Sequence, residues 1–261
     1  MLFAIVMCCA SRETEMAAKI TKQEVDYKAG ETTLKGYLVY DASIPGKRPG
    51  VIVVHEWWGH NDYARKRAEM LAELGYTALA IDMYGDGKLA NHPDDAMKFA
   101  MATLSNAEDA KAKFMAGIDV LKGHESTDSE RIAAIGYCFG GGVVLNMARL
   151  GVDLDAVVSF HGSLQAVSPV QEGMFNGRML VCNGAADPMV SQEQIIVFET
   201  EMNAAGIDYE VVNYDGAQHS FTNPLADSFG SKFSLPLSYN EAADKQSWEA
   251  MKKLFGEVFG S

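Results

Sequence analysis

The sequence predicts an α/β fold: a mostly parallel twisted sheet, helices on both faces, and an antiparallel hairpin at the N-terminal end. Three observations predict it. Short apolar runs alternate along the chain with segments of helical spacing. Several of those runs are continuously apolar and β-branched, the pattern of strands buried on both faces of a parallel sheet. The repeated β–α–β order then requires parallel neighbours joined by helical crossovers.

The elements follow in order. TKQEVDY and TTLKGYLVY alternate in period two around the turn residues KAGE and predict the opening hairpin. GVIVVHE is a buried strand. Asn61 to Leu74 carries helical spacing at Ala64, Ala68, Leu71 and Leu74 and stops at Gly75. YTALAIDMY is a second buried strand, followed by helical stretches at 93–104 and 107–122. RIAAIGY is a strand, FGGGVVLNMARL a helix, and LDAVVSF and RMLVCNG are strands. QEQIIVFETEMNAAG is a helix, YEVVNYD a strand, and Glu241 to Phe259 a closing amphipathic helix. Asn223 to Tyr239 reads as an irregular surface excursion. With no internal repeat and no Gly/Ser linker, residues 19–261 read as one domain and 1–18 as an N-terminal extension or a degraded signal-like segment.

The 261 residues are 48% hydrophobic and carry a formal net charge of −13, spread along the chain rather than massed in a tail, so an acidic solvated surface is expected. No basic stripe is present, which argues against nucleic acid or an anionic membrane as the partner. The start, MLFAIVMCCASRE, has an apolar run without the basic residues of a secretory signal, and Met16 is an alternative start. A cytoplasmic protein is the favoured reading, with secretion through the degraded signal as the other. Nothing in the sequence speaks to oligomeric state. Cys8 and Cys9 are adjacent near the N-terminus, Cys182 lies in an apolar strand, and no pair has zinc-ligand spacing.

Cys138 is different. Gly136, Cys138 and Gly140 form G-x-C-x-G directly between a strand and a helix, the nucleophile-elbow arrangement with cysteine in place of serine. A sharp strand-to-helix turn strains the nucleophile's backbone and leaves no room for side chains two positions either way. It lifts the sulfur to the carboxyl edge of the sheet, at a helix N-terminus that favours negative charge. The Phe139 N–H would face a developing oxyanion. Asp187 follows the strand RMLVCNG and His219 follows YEVVNYD, in the chain order nucleophile, acid, base. His219 would take the thiol proton and Asp187 would orient its ring. Glu56 ends a buried strand at the same edge, where a carboxyl among apolar groups should have a raised pKa.

IGYCFGG, GAADP, QHSF and VVHEWWG together resemble the dienelactone hydrolase family of α/β-hydrolases, from about Lys19 to the closing helix. The resemblance implies an α/β-hydrolase fold, Cys138 as nucleophile, His219 as base and Asp187 as its acid. It implies that Glu56 contacts the resting thiol and that the Trp57 N–H joins that of Phe139 in the oxyanion hole. The sequence departs from the family where arginines grip a substrate carboxylate: Asp86 and Asn223 stand at those positions, and neither supplies a guanidinium fork. Lys88 could reach in as a point charge. A neutral ester or lactone is therefore expected, in a pocket formed by Trp57, Trp58, Tyr84, Phe160, His161 and Phe221 together with Asp86, Lys88 and Asn223. The reading requires no metal or organic cofactor. Overall likeness also suggests a relative that hydrolyses phosphotriesters. Two rivals are a metal hydrolase using His55, Glu56, His60, Asp82, His92 and His161, whose spacing fits no metal-binding helix, and a reactive-thiol sensor that oxidises Cys138 without turnover.

Overall fold

A computed structural model describes residues 18–260. The extension expected over residues 1–18 lies, apart from Ala18, outside the described residues, as do Cys8 and Cys9. The hairpin forms from β1 (Ile20–Ala29) and β2 (Thr32–Asp41), paired antiparallel throughout. There follow β3 (Arg48–Val54), α1 (Asp62–Glu73), β4 (Thr77–Ile81), α2 (Pro93–Leu104), α3 (Ala107–Gly123) and β5 (Thr127–Tyr137). The second half runs α4 (Phe139–Arg149), β6 (Ala156–Phe160), β7 (Arg178–Gly184), α5 (Gln192–Ala204), β8 (Asp208–Tyr214), α6 (Ala226–Phe233) and α7 (Glu241–Phe259).

The eight strands form one sheet in the order β1-β2-β4-β3-β5-β6-β7-β8. β2 joins β4 antiparallel, and every pair from β4 to β8 is parallel. This is the α/β-hydrolase architecture the sequence predicts. Val51 to Val54, Ala78 to Ile81 and Ala133 to Ile135 are sealed on both faces, as continuous apolar runs require. Their side chains alternate between two apolar layers. One contains Ile52, Val54, Leu79 and Phe114, and the other contains Val51, Val53, Leu71 and Phe255.

Helix boundaries follow local chemistry. Asn61 caps α1 by accepting from the Tyr63 N–H, Ser191 and Gln194 form a reciprocal capping box on α5, and Asn240 caps α7. Two expectations are corrected. β4 ends at Ile81 rather than Tyr84, because the buried Asp82 carboxylate accepts the N–H groups of Tyr84, Gly85 and Gly87 and bends the chain off the sheet. The excursion over 223–239 contains α6, whose Phe229 and Phe233 stack on Trp58. No helix among the described residues is long and apolar enough to cross a membrane.

Candidate active site

β5 and α4 meet at Cys138, whose backbone sits at φ 52 and ψ −114, outside the comfortable range of an L-residue. Such a conformation costs on the order of 1–3 kcal/mol and persists only where the surroundings dictate it. Here they do. The Cys138 N–H is shared between the Phe160 carbonyl at 3.0 Å and His161 Nδ1 at 3.1 Å, and its carbonyl accepts the Gly142 N–H at 3.2 Å. The flanking glycines are steric requirements. A Cβ on Gly136 would enter the Gly140 carbonyl, and one on Gly140 would enter the Val54 carbonyl.

The half-buried Cys138 Sγ lies 3.1 Å from His219 Nε2, and His219 Nδ1 lies 2.8 Å from Asp187 Oδ2. Asp187 is fixed in turn, since its Oδ1 accepts the Met189 N–H at 2.8 Å. Burial alone would lower the His219 pKa. The negative charge of Cys138 and the hydrogen bonds to Asp187 and Cys138 outweigh it and raise the imidazole to about 10. The raised value keeps a proton on the imidazole, between the Cys138 sulfur and the Asp187 carboxyl group.

Glu56 is 1% exposed and faces a different set of partners. Its Oε1 accepts from Ser220 Oγ at 3.0 Å and its Oε2 from Asn223 Nδ2 at 2.6 Å, whereas the thiol is hydrogen-bonded to His219. Burial raises the Glu56 pKa, and the Asn223 and Ser220 bonds with the charges of His219 and Arg67 offset only part of that. Asn223 also accepts the Leu225 N–H through Oδ1, so the turn leading into α6 is what presents it.

Five of the expected pocket residues are elsewhere. Trp58 is buried and stacks on Phe229 at 4.7 Å and Phe233 at 5.9 Å. Phe160 is stacked on Tyr137 in the core, and Phe221 is fully buried edge-on to His161. His161 is fully buried beneath the elbow, and Asn223 holds Glu56. Each sits at a strand end or beside His219 as expected, but its side chain turns into the protein. Asp86 and Lys88 are exposed and lie 3.6 Å apart as an ion pair. Lys88 and Tyr84 border a small cleft of about 190 Å³. Tyr84 is mostly buried against His55 and Phe139, and its hydroxyl donates to the Trp57 carbonyl at 2.9 Å. Trp57 itself is half-buried.

A cleft of about 390 Å³ is bordered by Phe139, the residue after Cys138, though not by Cys138 or His219 themselves. Met101, Leu104, Phe139, Gly142, Asn146 and Val167 line it, and no charged side chain among the described residues does. A larger cleft, about 500 Å³, opens at the opposite edge of the sheet around Asp153, Asp155 and Arg178, away from the thiol. Phe139 is the first residue of α4, so its N–H is one that a helix leaves without an internal acceptor. Among the described residues no three His, Cys, Asp or Glu side chains are grouped to hold a metal ion.

The roles of Ser220 and Asn223 as partners of Glu56 escaped the sequence reading. The only signal was their adjacency to His219 in QHSFTN, which gives no direction for the side chains.

Comparison with known proteins places the chain in a family. The family model described as the dienelactone hydrolase family matches residues 34–259. A solved structure described as m3DLH superposes with a TM-score of 0.87 at 40% identity, covering 92% of this chain and 99% of its own. The dienelactone hydrolase-like promiscuous phosphotriesterase P91 from metagenomic libraries superposes with a TM-score of 0.84 at 37% identity, over the same shares of the two chains. Protein usf of Aquifex pyrophilus is 30% identical over 206 residues, 77% of this chain and 87% of the relative.

Proposed function

Because the chain belongs to the dienelactone hydrolase family, hydrolases of ester and lactone bonds, we propose that it hydrolyses neutral esters or lactones by cysteine nucleophilic catalysis. The observation that carries this reading is the continuous hydrogen-bonded line from Cys138 Sγ through both His219 nitrogens to Asp187, at 3.1 and 2.8 Å. Cys138 attacks the acyl carbon and forms a tetrahedral adduct, whose oxygen accepts from the Phe139 and Trp57 N–H groups. The imidazolium of His219 gives its proton to the departing alkoxide, leaving a thioester on Cys138. His219 then takes a proton from water as that water attacks the thioester, and keeps it as the thiolate of Cys138 is expelled with the acid product, which restores the starting pair. Asp187 keeps the ring oriented and charge-compensated through both steps. Glu56, buried and with a raised pKa, is a proton-exchanging neighbour that Ser220 and Asn223 hold in place.

A neutral substrate is supported by the uncharged cleft of about 390 Å³ and by the pairing of Lys88 with Asp86. The alternative is carboxymethylenebutenolidase-type hydrolysis of a carboxylate-bearing dienelactone, which would find no arginine fork among the residues that line this cleft. The similarity to a promiscuous phosphotriesterase favours a second activity. A neutral phosphotriester presents an electrophilic phosphorus and a good leaving group to the same sulfur, giving a phosphorylated thiol that water must then cleave. A non-catalytic thiol sensor is the reading to be excluded.

The test is turnover of p-nitrophenyl acetate by the wild type and by Cys138→Ala, alongside a panel of neutral and carboxylate-bearing lactones. Multiple turnovers lost in the variant, with neutral substrates preferred, support the proposal. Absence of turnover in both proteins contradicts it.

A further inference from the structure

His161 had been expected in the substrate pocket, yet it is completely buried, immediately below the nucleophile. A backbone amide can only donate. The 3.1 Å contact between the Cys138 N–H and His161 Nδ1 therefore leaves Nδ1 without a proton and puts the ring hydrogen on Nε2. That hydrogen is donated to Thr222 Oγ1 at 2.7 Å. Thr222 Oγ1 shares a 2.6 Å hydrogen bond with the Tyr63 hydroxyl, which accepts from Arg67 Nε at 3.3 Å. Arg67 Nη2 donates to the Thr222 carbonyl and to Asp244 Oδ1, each at 2.6 Å. A buried polar chain thus runs from α7 and α1 to the backbone of the reacting residue. His161 adopts a left-handed φ of 41, a strained conformation for a ring-bearing residue. Burial, then the charges of His219 and Arg67, holds its imidazole well below the usual range and keeps it neutral.

We infer that His161 is a positioning residue: its neutral ring, anchored at the far side by Thr222, holds the Cys138 backbone in the strained elbow that aims the sulfur at His219. The inference rests on the proposed role of Cys138 as nucleophile. His161 takes no part in proton transfer to substrate. Its Nδ1 faces the Cys138 amide and its Nε2 faces Thr222, so neither nitrogen is free for a reacting group. The second acceptor supplements the Phe160 carbonyl, which by itself would leave the peptide plane freer to tilt.

The experiment compares His161→Phe, His161→Asn and Thr222→Val with the wild type, reading kcat and KM for p-nitrophenyl acetate and the rate of Cys138 alkylation by iodoacetamide. The phenyl ring fills the space and removes the acceptor, while the asparagine Oδ1 restores an acceptor to the Cys138 N–H. His161→Phe should lower kcat about 10- to 100-fold with KM unchanged, the scale expected for an ångström-level misplacement of the nucleophile. Alkylation should slow in parallel, and His161→Asn should recover most of both. Thr222→Val, which removes the far anchor together with the Tyr63 hydrogen bond and leaves the Cys138 amide's two acceptors in place, should lower kcat a few-fold and decides the matter if His161→Phe does not fold.

Unchanged kcat in His161→Phe, or in Thr222→Val when that variant alone is soluble, overturns the inference. Equal losses in the phenylalanine and asparagine variants, with matching falls in Tm, overturn it as well and assign the residue to packing. Full turnover by Cys138→Ala would instead remove the nucleophile on which it rests, a different failure from the others.

Discussion

Cys138 is held by opposing demands: its backbone is strained, its amide is doubly bonded, and its sulfur remains half-exposed beside an imidazole. The His219 pKa of about 10 has a consequence for pH dependence. The raised value means that the ring keeps its proton across the neutral range and surrenders it only as the pH climbs through about 10. Leaving-group protonation needs that proton, so kcat/KM for an ester should stay high through neutrality and fall on an alkaline limb near 10. A pH–rate profile checks this, and an alkaline limb near neutrality would contradict it. The grouping of Cys138, Asp187 and His219 was legible because each follows a strand, and in an α/β sheet the carboxyl ends of strands share one edge. The aromatic pocket was not. Phe160 ends a strand as expected, but only the three-dimensional register turns its ring onto Tyr137 in the core.

α6 shows why an element can stay hidden while its neighbours are plain. Its sequence, ADSFGSKF, has a glycine in the middle and lies between Pro224 and Pro236, all of which suggest a loop. Gly230 is there for approach, since a Cβ would enter the Leu237 carbonyl. The gain is a stack of Phe229 and Phe233 on Trp58 that closes the protein over the β3 strand end. Trp58→Ala should accordingly cost about 3–5 kcal/mol of stability in urea unfolding, with acyl preference retained. A stable variant with altered acyl preference would return Trp58 to the pocket. At the elbow, Gly140→Ala should destabilise by about 1–3 kcal/mol or more, because the group it meets is main chain and cannot rotate away. An unchanged urea midpoint would contradict that account.

Across the whole molecule, the helices that flank the site are tied together by buried cations. Arg149 on α4 is 1% exposed and forms a bidentate pair with Glu201 on α5, at 3.0 and 2.8 Å, and also donates to the Leu164 carbonyl. Glu201 further accepts the Val170 N–H, so one pair organises α4, α5 and the loop that borders the uncharged cleft. Removing one partner of such a pair leaves an uncompensated buried charge, and Glu201→Ala should lose about 3–5 kcal/mol in denaturant unfolding. A loss below about 1 kcal/mol, the value of an exposed pair, would contradict this. The strand sequence and the parallel sheet were legible because buried strands need unbroken apolar runs, which helices of this length do not share. The buried arginines were not: Arg67 and Arg149 occupy ordinary helix positions, and nothing local distinguishes them from solvated neighbours such as Arg65.

All of this converges on one covalent bond. Rapid acid quenching of the enzyme during turnover of p-nitrophenyl butyrate, followed by peptide mass spectrometry, should find a butyryl group on the peptide containing Cys138 and a longer-lived adduct in His219→Ala. A butyryl group on a serine, or an unmodified Cys138 during demonstrable turnover with slow deacylation, would contradict the account.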